Sequence, residues 1–261
     1  MIEKSTREIQ RVMHPLKFRM LSVKKITQVS PRMQRITLTG EDLEGFVSAS
    51  ADDHVKVFFP APGEDKPVVP SVGPDGPVIP QGAIMRDYTP LRFDPVANEL
   101  DLEFVLHEEG PGTTWAKNAQ VGSVIGVGGP RGSMIVPYDF DWYLMVGDEV
   151  AIPSFMRRLT ELPVGAKALV MIEVASKDEE REIVSSADME VIWLHRNGQA
   201  AGSTNMLRDM VIKSKFPYGD YFAWVSGESQ MVKEIKEILE NIKGGNLSWI
   251  KATAYWKKQL S

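Results

Sequence analysis

The sequence lacks several features that would assign it to other classes of protein. It has no cysteine, which excludes disulfides, thiolate metal ligands and thiol nucleophiles, and we predict no metal site. No apolar run approaches the roughly 20 residues that a membrane-spanning helix needs, and residues 1–14 are too charged for a signal peptide. The net charge of −5 argues against nucleic acid as a partner. We therefore expect a cytoplasmic protein without a membrane span.

The first half of the chain is rich in short strand candidates. They carry β-branched and aromatic residues and lie at 16–29, 34–39, 54–59, 86–93, 99–107 and 123–128. Between Pro60 and Gly82 the sequence is dense in proline and glycine, which cannot enter a sheet interior, so we interpret it as a surface loop. This pattern favours an antiparallel barrel or sandwich.

The second half alternates strands with helices. Strand candidates lie at 142–147, 168–175, 189–195, 221–226 and 249–256, and helix candidates at 153–160, 203–213 and 229–243. Such alternation predicts a parallel sheet with helices on its faces. The change of pattern falls between Pro137 and Asp141. We predict two domains, a β-barrel over residues 1–138 and an α/β domain over residues 139–261.

The most informative stretch runs from Arg86 to Arg92, with the sequence RDYTPLR. In a strand, Arg86 and Tyr88 project to one face, and Thr89 follows directly. A flavin dinucleotide needs a cation for its pyrophosphate, a flat ring beside the isoalloxazine and a hydroxyl near the nitrogen that receives hydride. The alternative interpretation is an ordinary edge strand that ends in a Thr-Pro turn.

Three further stretches carry possible binding residues. Residues 107–116 (HEEGPGTTWA) follow a strand and open a helix, which makes either an anion site or a simple capped helix. Residues 126–133 (GVGGPRGS) form a glycine-rich turn with one cation, which a barrel corner would also require. Residues 147–153 (GDEVAIP) lie where the first strand of the α/β half turns into its helix, at the position of nucleotide sites in such sheets.

Taken in order, these motifs resemble those of the siderophore-interacting proteins, a branch of the ferredoxin–NADP reductase-like flavoproteins. The matching segments are RDYT at 86–89 with Arg92 beyond, FVLH at 104–107, GPGTTWA at 110–116, GPRGS at 129–133, GDEVAIP at 147–153, WVSGE at 224–228 and the closing YW at 255–256. The resemblance covers nearly the whole chain. It implies an antiparallel flavin-binding barrel followed by a parallel-sheet nicotinamide-binding domain.

The resemblance also implies an activity, that of a ferric-siderophore reductase. Electrons would pass from NADPH or NADH through non-covalently bound FAD to chelated Fe(III), and the Fe(II) that forms would leave the chelate. By match, the catalytic contacts come from Tyr88, which stacks on the flavin, and Thr89, which reaches its reactive nitrogen. The remaining cofactor residues are Arg86 at the phosphates, its neighbour Asp87, the flavin cradle of His107, Gly112, Thr113 and Thr114, and Asp148, Glu149 and Glu228 on the nicotinamide side.

The family usually has threonine where this chain has Val150, so one hydroxyl contact to the nucleotide is missing. Many ferric siderophores are anionic, so we expect a locally basic substrate site. The candidates are Lys251, Lys257, Lys258 and Arg92, although the terminal lysines could simply be solvated.

The electron donor is left open by the sequence. Ser176 and Lys177 follow the second strand of the α/β half and suit the 2′-phosphate of NADPH, whereas the acids at 178–180 would repel it. A ferredoxin is a third possible donor. Two alternative functions also remain, a general NAD(P)H:flavin or ferredoxin-type reductase and a flavin-binding module that does not turn over.

Overall fold

The computed structural model describes residues 7–74 and 76–258, and these divide into two compact units, each with its own hydrophobic core. One unit is Ile9–Val136. The other begins at Pro137 and also includes Arg7 and Glu8. Arg7 belongs there because its guanidinium contacts the carboxylates of Asp141 and Asp220.

The N-terminal unit consists of short strands and one helix. In chain order they are β1 Gln10–Met13, β2 Phe18–Ser30, β3 Met33–Thr39, β4 Val55–Phe59, β5 Ser71–Gly73, β6 Gly76–Val78, β7 Ile84–Tyr88, β8 Arg92–Asp94, β9 Glu99–Val105, α1 Pro111–Asn118, β10 Val124–Gly128 and β11 Gly132–Ile135.

An antiparallel sheet, which we call the N-terminal sheet, dominates this unit. Its strand order within the described residues is β7-β4-β10-β2-β3-β9-β8, and every neighbouring pair is antiparallel. Alternate residues of these strands point inward, as Ile36 and Leu38 of β3 and Leu100 and Leu102 of β9 do, and they form the core. The antiparallel first domain predicted from the sequence is confirmed.

Two details of the prediction were wrong. The single strand expected at 86–93 is two strands, β7 and β8, because Pro90 has no N–H to donate to a strand ladder. They pair with β4 and β9 and so lie at opposite ends of the strand order. The proline-rich loop contains a small hairpin of β5 and β6, and its Val69 packs so closely on Gly126 of β10 that a side chain there would overlap it.

The C-terminal unit is a parallel α/β domain. Its elements are β12 Trp142–Asp148, α2 Ile152–Glu161, β13 Lys167–Val174, β14 Asp188–His195, α3 Met206–Lys213, β15 Tyr221–Glu228, α4 Ser229–Asn241 and β16 Ile250–Trp256. The strand order is β14-β13-β12-β15-β16, and all pairs are parallel, as predicted. Helix α3 begins three residues later than the predicted 203, after Asn205.

The strand order of this parallel sheet indicates where a ligand would bind. Central strands β12 and β15 are buried along their whole length, which is why they are almost uninterrupted apolar runs. The chain continues from β12 to β13 on one side and from β15 to β16 on the other, so the connections diverge between them. Ligands of such sheets bind at the carboxyl ends of the strands where this divergence occurs. Asp148 and Glu228 end the two strands at that edge. No helix in the described residues is long and apolar enough to cross a bilayer.

Candidate functional site

Strand β7 places a cation and an aromatic ring two positions apart at the edge of the N-terminal sheet. The ring of Tyr88 packs on the core, with its centroid 4.4 Å from that of Phe104 and 6.2 Å from that of Phe59. Burial raises the pKa of the Tyr88 hydroxyl well above its usual range. Arg86 is exposed, and its Nη1 donates to the Met85 carbonyl oxygen at 2.7 Å. Within the described residues no carboxylate pairs with Arg86, so its charge is available to a ligand.

Asp87 lies on the opposite side of the same strand. Its carboxylate is paired with Lys56 of β4, with 2.8 Å between Lys56 Nζ and Asp87 Oδ1, and the two residues are register partners. Strand alternation therefore turns Asp87 away from Arg86 and Tyr88. The geometry explains Asp87 as a strand-to-strand ion pair and gives no support to the predicted cofactor contact.

Thr89 and Pro90 end the strand. Thr89 is half-buried, and its hydroxyl makes no hydrogen bond to any residue that the structure describes, whereas Pro90 is buried. A half-buried hydroxyl without a partner is suited to a bound ligand.

The start of helix α1 faces the Tyr88 hydroxyl. Gly110 precedes the helix with φ +138°, Pro111 occupies the first turn, and the Gly112 and Thr113 N–H groups come before the first intrahelical bond, in which the Thr114 N–H donates to the Gly110 carbonyl. A Cβ at Gly112 would overlap the Tyr88 hydroxyl oxygen and lie 3.2 Å from Tyr88 Cζ. Glycine is thus required here by the close approach of the tyrosine.

The predicted cradle residues differ in accessibility. Thr113 is buried, and its hydroxyl donates to the Val105 carbonyl at 2.9 Å, so it attaches α1 to the end of β9. Thr114 and His107 are exposed, and the His107 ring packs over Gly110. Thr114 and His107 are therefore accessible to a ligand, whereas Thr113 supports the helix.

This group of residues fits FAD. The pyrophosphate would meet Arg86 and the free N–H groups of α1, the flat ring would meet Tyr88, and the Thr89 hydroxyl would be free to donate. The absence of a side chain at Gly112 lets the Tyr88 hydroxyl pack directly against the start of α1.

The glycine-rich turn at 126–133 is explained by packing. A side chain at Gly128 would lie 2.7 Å from the Phe18 ring, and one at Gly132 would lie 2.7 Å from the Val12 carbonyl oxygen. Arg131 in this turn is exposed, and its guanidinium has no partner in the described part of the chain.

In the C-terminal unit, Asp148 binds protein groups with both of its carboxylate oxygens. Oδ1 accepts the Val150 N–H at 3.1 Å, and Oδ2 accepts the Glu228 N–H at 2.9 Å and the indole Nε1–H of Trp256 at 2.7 Å. Burial, with a smaller effect from neighbouring Glu149, raises the pKa of Asp148 to about 7. Asp148 thus joins the ends of three strands.

Glu228 has a similar internal role. Its Oε2 accepts the N–H groups of Gln230 and Met231 at 2.6 and 3.0 Å and so caps α4, and its Oε1 accepts the Ser229 hydroxyl at 3.0 Å and the Lys258 N–H at 3.3 Å. Burial acts to raise the pKa of Glu228, but these bonds outweigh it and lower the pKa.

Glu149 belongs to a charge cluster with residues that sequence analysis did not identify. Arg196, only 2% exposed, donates from Nη1 to Glu149 Oε2 at 2.7 Å and lies 3.5 Å from a Glu173 carboxylate oxygen. Glu173 also accepts the Thr204 hydroxyl. The predicted nicotinamide-side acids Asp148, Glu149 and Glu228 therefore shape the carboxyl edge of the sheet through bonds within the protein.

The acids at 178–180 lie in different environments. Glu179 is buried, and Glu180 Oε1 lies 2.7 Å from His195 Nε2. Lys177 and Asp178 remain exposed, and Ser176 is half-buried.

The predicted substrate cations are in different environments. Arg92 is bound by the carboxylates of Asp94, Glu99 and Asp101, and its hydrogen bond to Asp101, at 2.7 Å, is the main reason that its pKa is raised. Because three acids compensate its charge, the structure explains Arg92 as part of a surface ion network and not as a ligand for an anion.

The lysines near the C terminus lie in other environments. Lys257 and Lys258 have exposed side chains. Lys251 is half-buried, with its Nζ 5.7 Å from the centre of the Trp224 ring.

Sequence reasoning missed the bonding roles of Trp256, Arg196, Thr204 and Glu173. Trp256 and Asp148 are 108 positions apart. A tryptophan at the end of a strand gives no local sign of which carboxylate its indole will bind. The one available signal was that the YW pair at 255–256 lies in a family-like position.

Two family models match the chain. Residues 22–134 match the siderophore-interacting FAD-binding domain, and residues 140–259 match the siderophore-interacting protein family. Curated relatives align over nearly the whole length. The NADPH-dependent ferric-chelate reductase of Escherichia coli strain K12 is 35% identical over 252 residues, with 95% of this chain and 96% of that protein covered. The ferric vibriobactin reductase of Vibrio cholerae is 34% identical over 255 residues, with 96% and 92% covered.

Solved structures of siderophore proteins are also similar to this chain. A siderophore utilization protein from T. fusca is 39% identical with a TM-score of 0.92, and the match covers 97% of this chain and 98% of that one. The siderophore-interacting protein SipS from Aeromonas hydrophila is 25% identical with a TM-score of 0.78, at 94% and 93% coverage. The FAD/NAD-binding domain of a Vibrio cholerae nitric oxide dioxygenase shares the fold, with a TM-score of 0.65 at 13% identity and 92% and 99% coverage.

Proposed function

The chain belongs to the siderophore-interacting protein family, and we propose that it reduces ferric siderophores with electrons from a nicotinamide nucleotide, with FAD as its bound cofactor. Two relatives that align over nearly the whole chain are named as ferric-chelate and ferric vibriobactin reductases. The observation that carries the proposal is the packing of Tyr88 against Gly112 at the start of α1, with Arg86 two positions earlier on the same strand exposed and without a carboxylate partner among the described residues.

The chemistry of the reaction belongs to the cofactor and the iron. When bound, FAD would supply the exchange between a two-electron hydride donor and a one-electron acceptor, so one reduced nicotinamide would serve two Fe(III) ions. The products are the oxidised nucleotide, a proton and two Fe(II) ions. Fe(II) is a softer ion than Fe(III) and binds the hard oxygens of siderophores more weakly, so reduction releases the iron.

The residues of the N-terminal unit bind and orient the cofactor. Arg86 holds the pyrophosphate together with the first N–H groups of α1, and Thr114 and His107 add contacts from the exposed side of the helix start. Tyr88, fixed against Phe104, supports the ring. The half-buried Thr89 hydroxyl would be available to donate to the flavin nitrogen that receives hydride.

NADPH is the donor that we propose. Lys177 is exposed and Ser176 is half-buried, so both could meet the 2′-phosphate, and Glu180 is directed to His195. A relative at 35% identity is named as NADPH-dependent. A ferredoxin donor is the alternative, and a direct test of NADPH oxidation separates the two.

The substrate that we propose is an anionic ferric siderophore. The exposed side chains of Lys257 and Lys258 give the C-terminal end of the described chain a local positive charge, although the whole protein is acidic. We place the reaction in the cytoplasm, where reduced nicotinamide nucleotides are available.

The test is to purify the protein, supply FAD, and record its visible spectrum before and after anaerobic addition of NADPH or NADH. We expect a flavin spectrum that bleaches with NADPH and recovers when a ferric siderophore is added, with Fe(II) captured by a ferrous chelator. The matched variants are Arg86→Ala, which should lose FAD, and Asp87→Asn, which should keep it because Asp87 faces Lys56.

Each alternative has its own outcome. Failure to bind FAD would overturn the proposal as a whole. A flavin that reduces free FMN far faster than any ferric chelate would indicate a general flavin reductase. A flavin that no nicotinamide or ferredoxin reduces would indicate a module that does not turn over.

A further inference from the structure

Three chain segments of the C-terminal unit meet at the carboxylate of Asp148. Asp148 ends β12, Val150 follows it, Glu228 ends β15, and Trp256 ends β16. The convergence is close, because a side chain at Gly227 would lie within 2.7 Å of the Asp148 carboxyl carbon. Asp148 is only 5% exposed, so water has little access to these hydrogen bonds.

Trp256 is held at this edge from two sides. Its indole donates to Asp148 at 2.7 Å, and the far end of its ring packs on the backbone of Gly202, where a Cβ would lie 3.0 Å from Trp256 Cη2. The chain beyond it is attached as well, since the Lys258 N–H donates to Glu228. Trp256 is nevertheless partly exposed. The arrangement thus presents an aromatic surface of fixed orientation at the edge where a nucleotide binds in sheets of this order.

We propose that Asp148 is a positioning residue for the nicotinamide nucleotide, whose ionised carboxylate holds Trp256 so that the nucleotide binds against a fixed indole ring. This inference rests on the proposed function for the identity of the ligand. It assigns to Asp148 a bond within the protein, in place of the direct nucleotide contact that the family resemblance implied.

The contacts of Asp148 make its effect dependent on protonation. Oδ2 accepts two N–H groups and Oδ1 accepts one, and protonation of the carboxylate would remove the negative charge that strengthens all three bonds, including the one from Trp256. The charged groups that face it are Glu149 on the next turn, Arg196 after β14, and Glu228 at the end of β15. Arg196 largely compensates Glu149. Burial, followed by Glu149, raises the pKa of Asp148 to about 7, so the carboxyl group changes between its protonated and ionised forms around neutral pH.

The pH dependence of protein stability distinguishes a positioning role of Asp148 from a purely stabilising one. Because the pKa is raised from its usual 3.8 in the folded state, the folded protein holds a proton that the unfolded chain loses as pH rises. Asp148 therefore contributes less to stability as the pH rises from about 4 to about 7. Its contribution to nucleotide binding should change in the opposite direction, since the ionised form holds Trp256.

The experiment compares Asp148→Asn and Trp256→Phe with the wild-type holoenzyme, with NADPH as donor and Fe(III) citrate as acceptor. We expect KM for NADPH to rise about tenfold in both variants, the effect of losing a hydrogen bond to a charged group, with kcat at saturating NADPH little changed. Wild-type KM should rise as pH falls through about 7, and the Asp148→Asn protein should lose this dependence. The matched control is Trp224→Phe, whose indole donates to the Ser226 hydroxyl and not to Asp148.

A second readout does not depend on turnover. The fluorescence of Trp256, taken as the difference between wild type and Trp256→Phe, should shift with a midpoint near pH 7. If the wild type oxidises no NADPH, the proposed function fails, and this titration together with NADPH binding by calorimetry still decides the role of Asp148. It also decides the matter if the Asp148→Asn protein does not fold.

Three results would overturn the inference. They are a wild-type KM in the Asp148→Asn protein, an equal rise in KM for the Trp224→Phe control, and Trp256 fluorescence that is constant through neutral pH.

Discussion

The contact between Gly112 and Tyr88 allows a sharp test of the flavin cradle. Gly112→Ala adds one methyl group where the Tyr88 hydroxyl already lies, and the new carbon would also be 3.2 Å from Tyr88 Cζ and 3.5 Å from Phe59 Cζ. The tyrosine has little room to move, because its ring packs on Phe104 with 4.4 Å between centroids. Either helix α1 or the Tyr88 ring must therefore shift.

The expected effect is that of overpacking a core. Adding a methyl group to a filled site usually costs about 1–3 kcal/mol, and we expect the N-terminal unit to lose this much free energy of unfolding. FAD affinity should fall by about tenfold or more, since 1.4 kcal/mol corresponds to a factor of ten and the displaced groups are those that we assign to the flavin. Urea unfolding of the apoprotein and fluorescence titration with FAD measure the two effects.

Tyr88→Phe provides the control in a double-mutant cycle. Removal of the hydroxyl oxygen leaves the nearest tyrosine atom 3.2 Å from the added methyl, a distance that small movements can accommodate. The double variant should therefore recover most of the lost stability, with a coupling energy of about 1–2 kcal/mol. If Gly112→Ala matches the wild type in both assays, or if Tyr88→Phe brings no recovery, the close approach of these residues does not define the cradle.

Three further predictions concern the individual roles. Arg86→Ala should weaken FAD binding by about tenfold to a hundredfold, the effect of losing a charge-assisted contact to phosphate, and equilibrium dialysis would reveal an unchanged affinity. Thr89→Val keeps the shape of the side chain but removes its hydroxyl, so the flavin should stay bound while single-turnover reduction by NADPH slows; an unchanged rate would make Thr89 structural. Changing Lys257 and Lys258 together to glutamate should raise KM for an anionic ferric siderophore, and the effect should shrink with added salt because exposed charges act over about 8 Å at physiological ionic strength. A neutral or cationic ferric chelate should be spared, and equal loss on both kinds would move the substrate site elsewhere, for which the exposed Arg131 is the next candidate.

Most of the fold could be predicted because its signals are local. The buried run at 142–147 is apolar without interruption, as expected for a central parallel strand, and it lies within β12. The stripe of Ile235, Ile238 and Leu239 predicted α4, and these residues are buried. The missed break between β7 and β8 came from giving too little weight to Pro90.

The site was predictable only where a short motif contains all of its own chemistry. Arg86, Tyr88 and Thr89 are consecutive or nearly so, and their roles stay predictions; in the structure Arg86 is exposed, Tyr88 packs on Phe104 and Thr89 is half-buried. Asp148 and Arg92 differ because their partners are set by tertiary packing. From the sequence, both looked like groups available to a ligand. In the folded protein Asp148 accepts a hydrogen bond from Trp256, and Arg92 is bound by three carboxylates.

The ion network around Arg92 lies on a strand at the edge of the N-terminal sheet. Strand β8 is three residues long and ends the N-terminal sheet, and an unpaired strand edge is a template on which another chain can add. Here an incoming strand would have to strip water from Arg92, Asp94 and Glu99, whose charges already satisfy one another. The Ala97 N–H holds the pKa of Asp94 below its usual value, and Lys24 does the same for Glu99, so both signs of charge persist into mildly acidic conditions. The arginine that resembled a substrate ligand thus gives this sheet edge the charged character with which proteins commonly discourage strand addition.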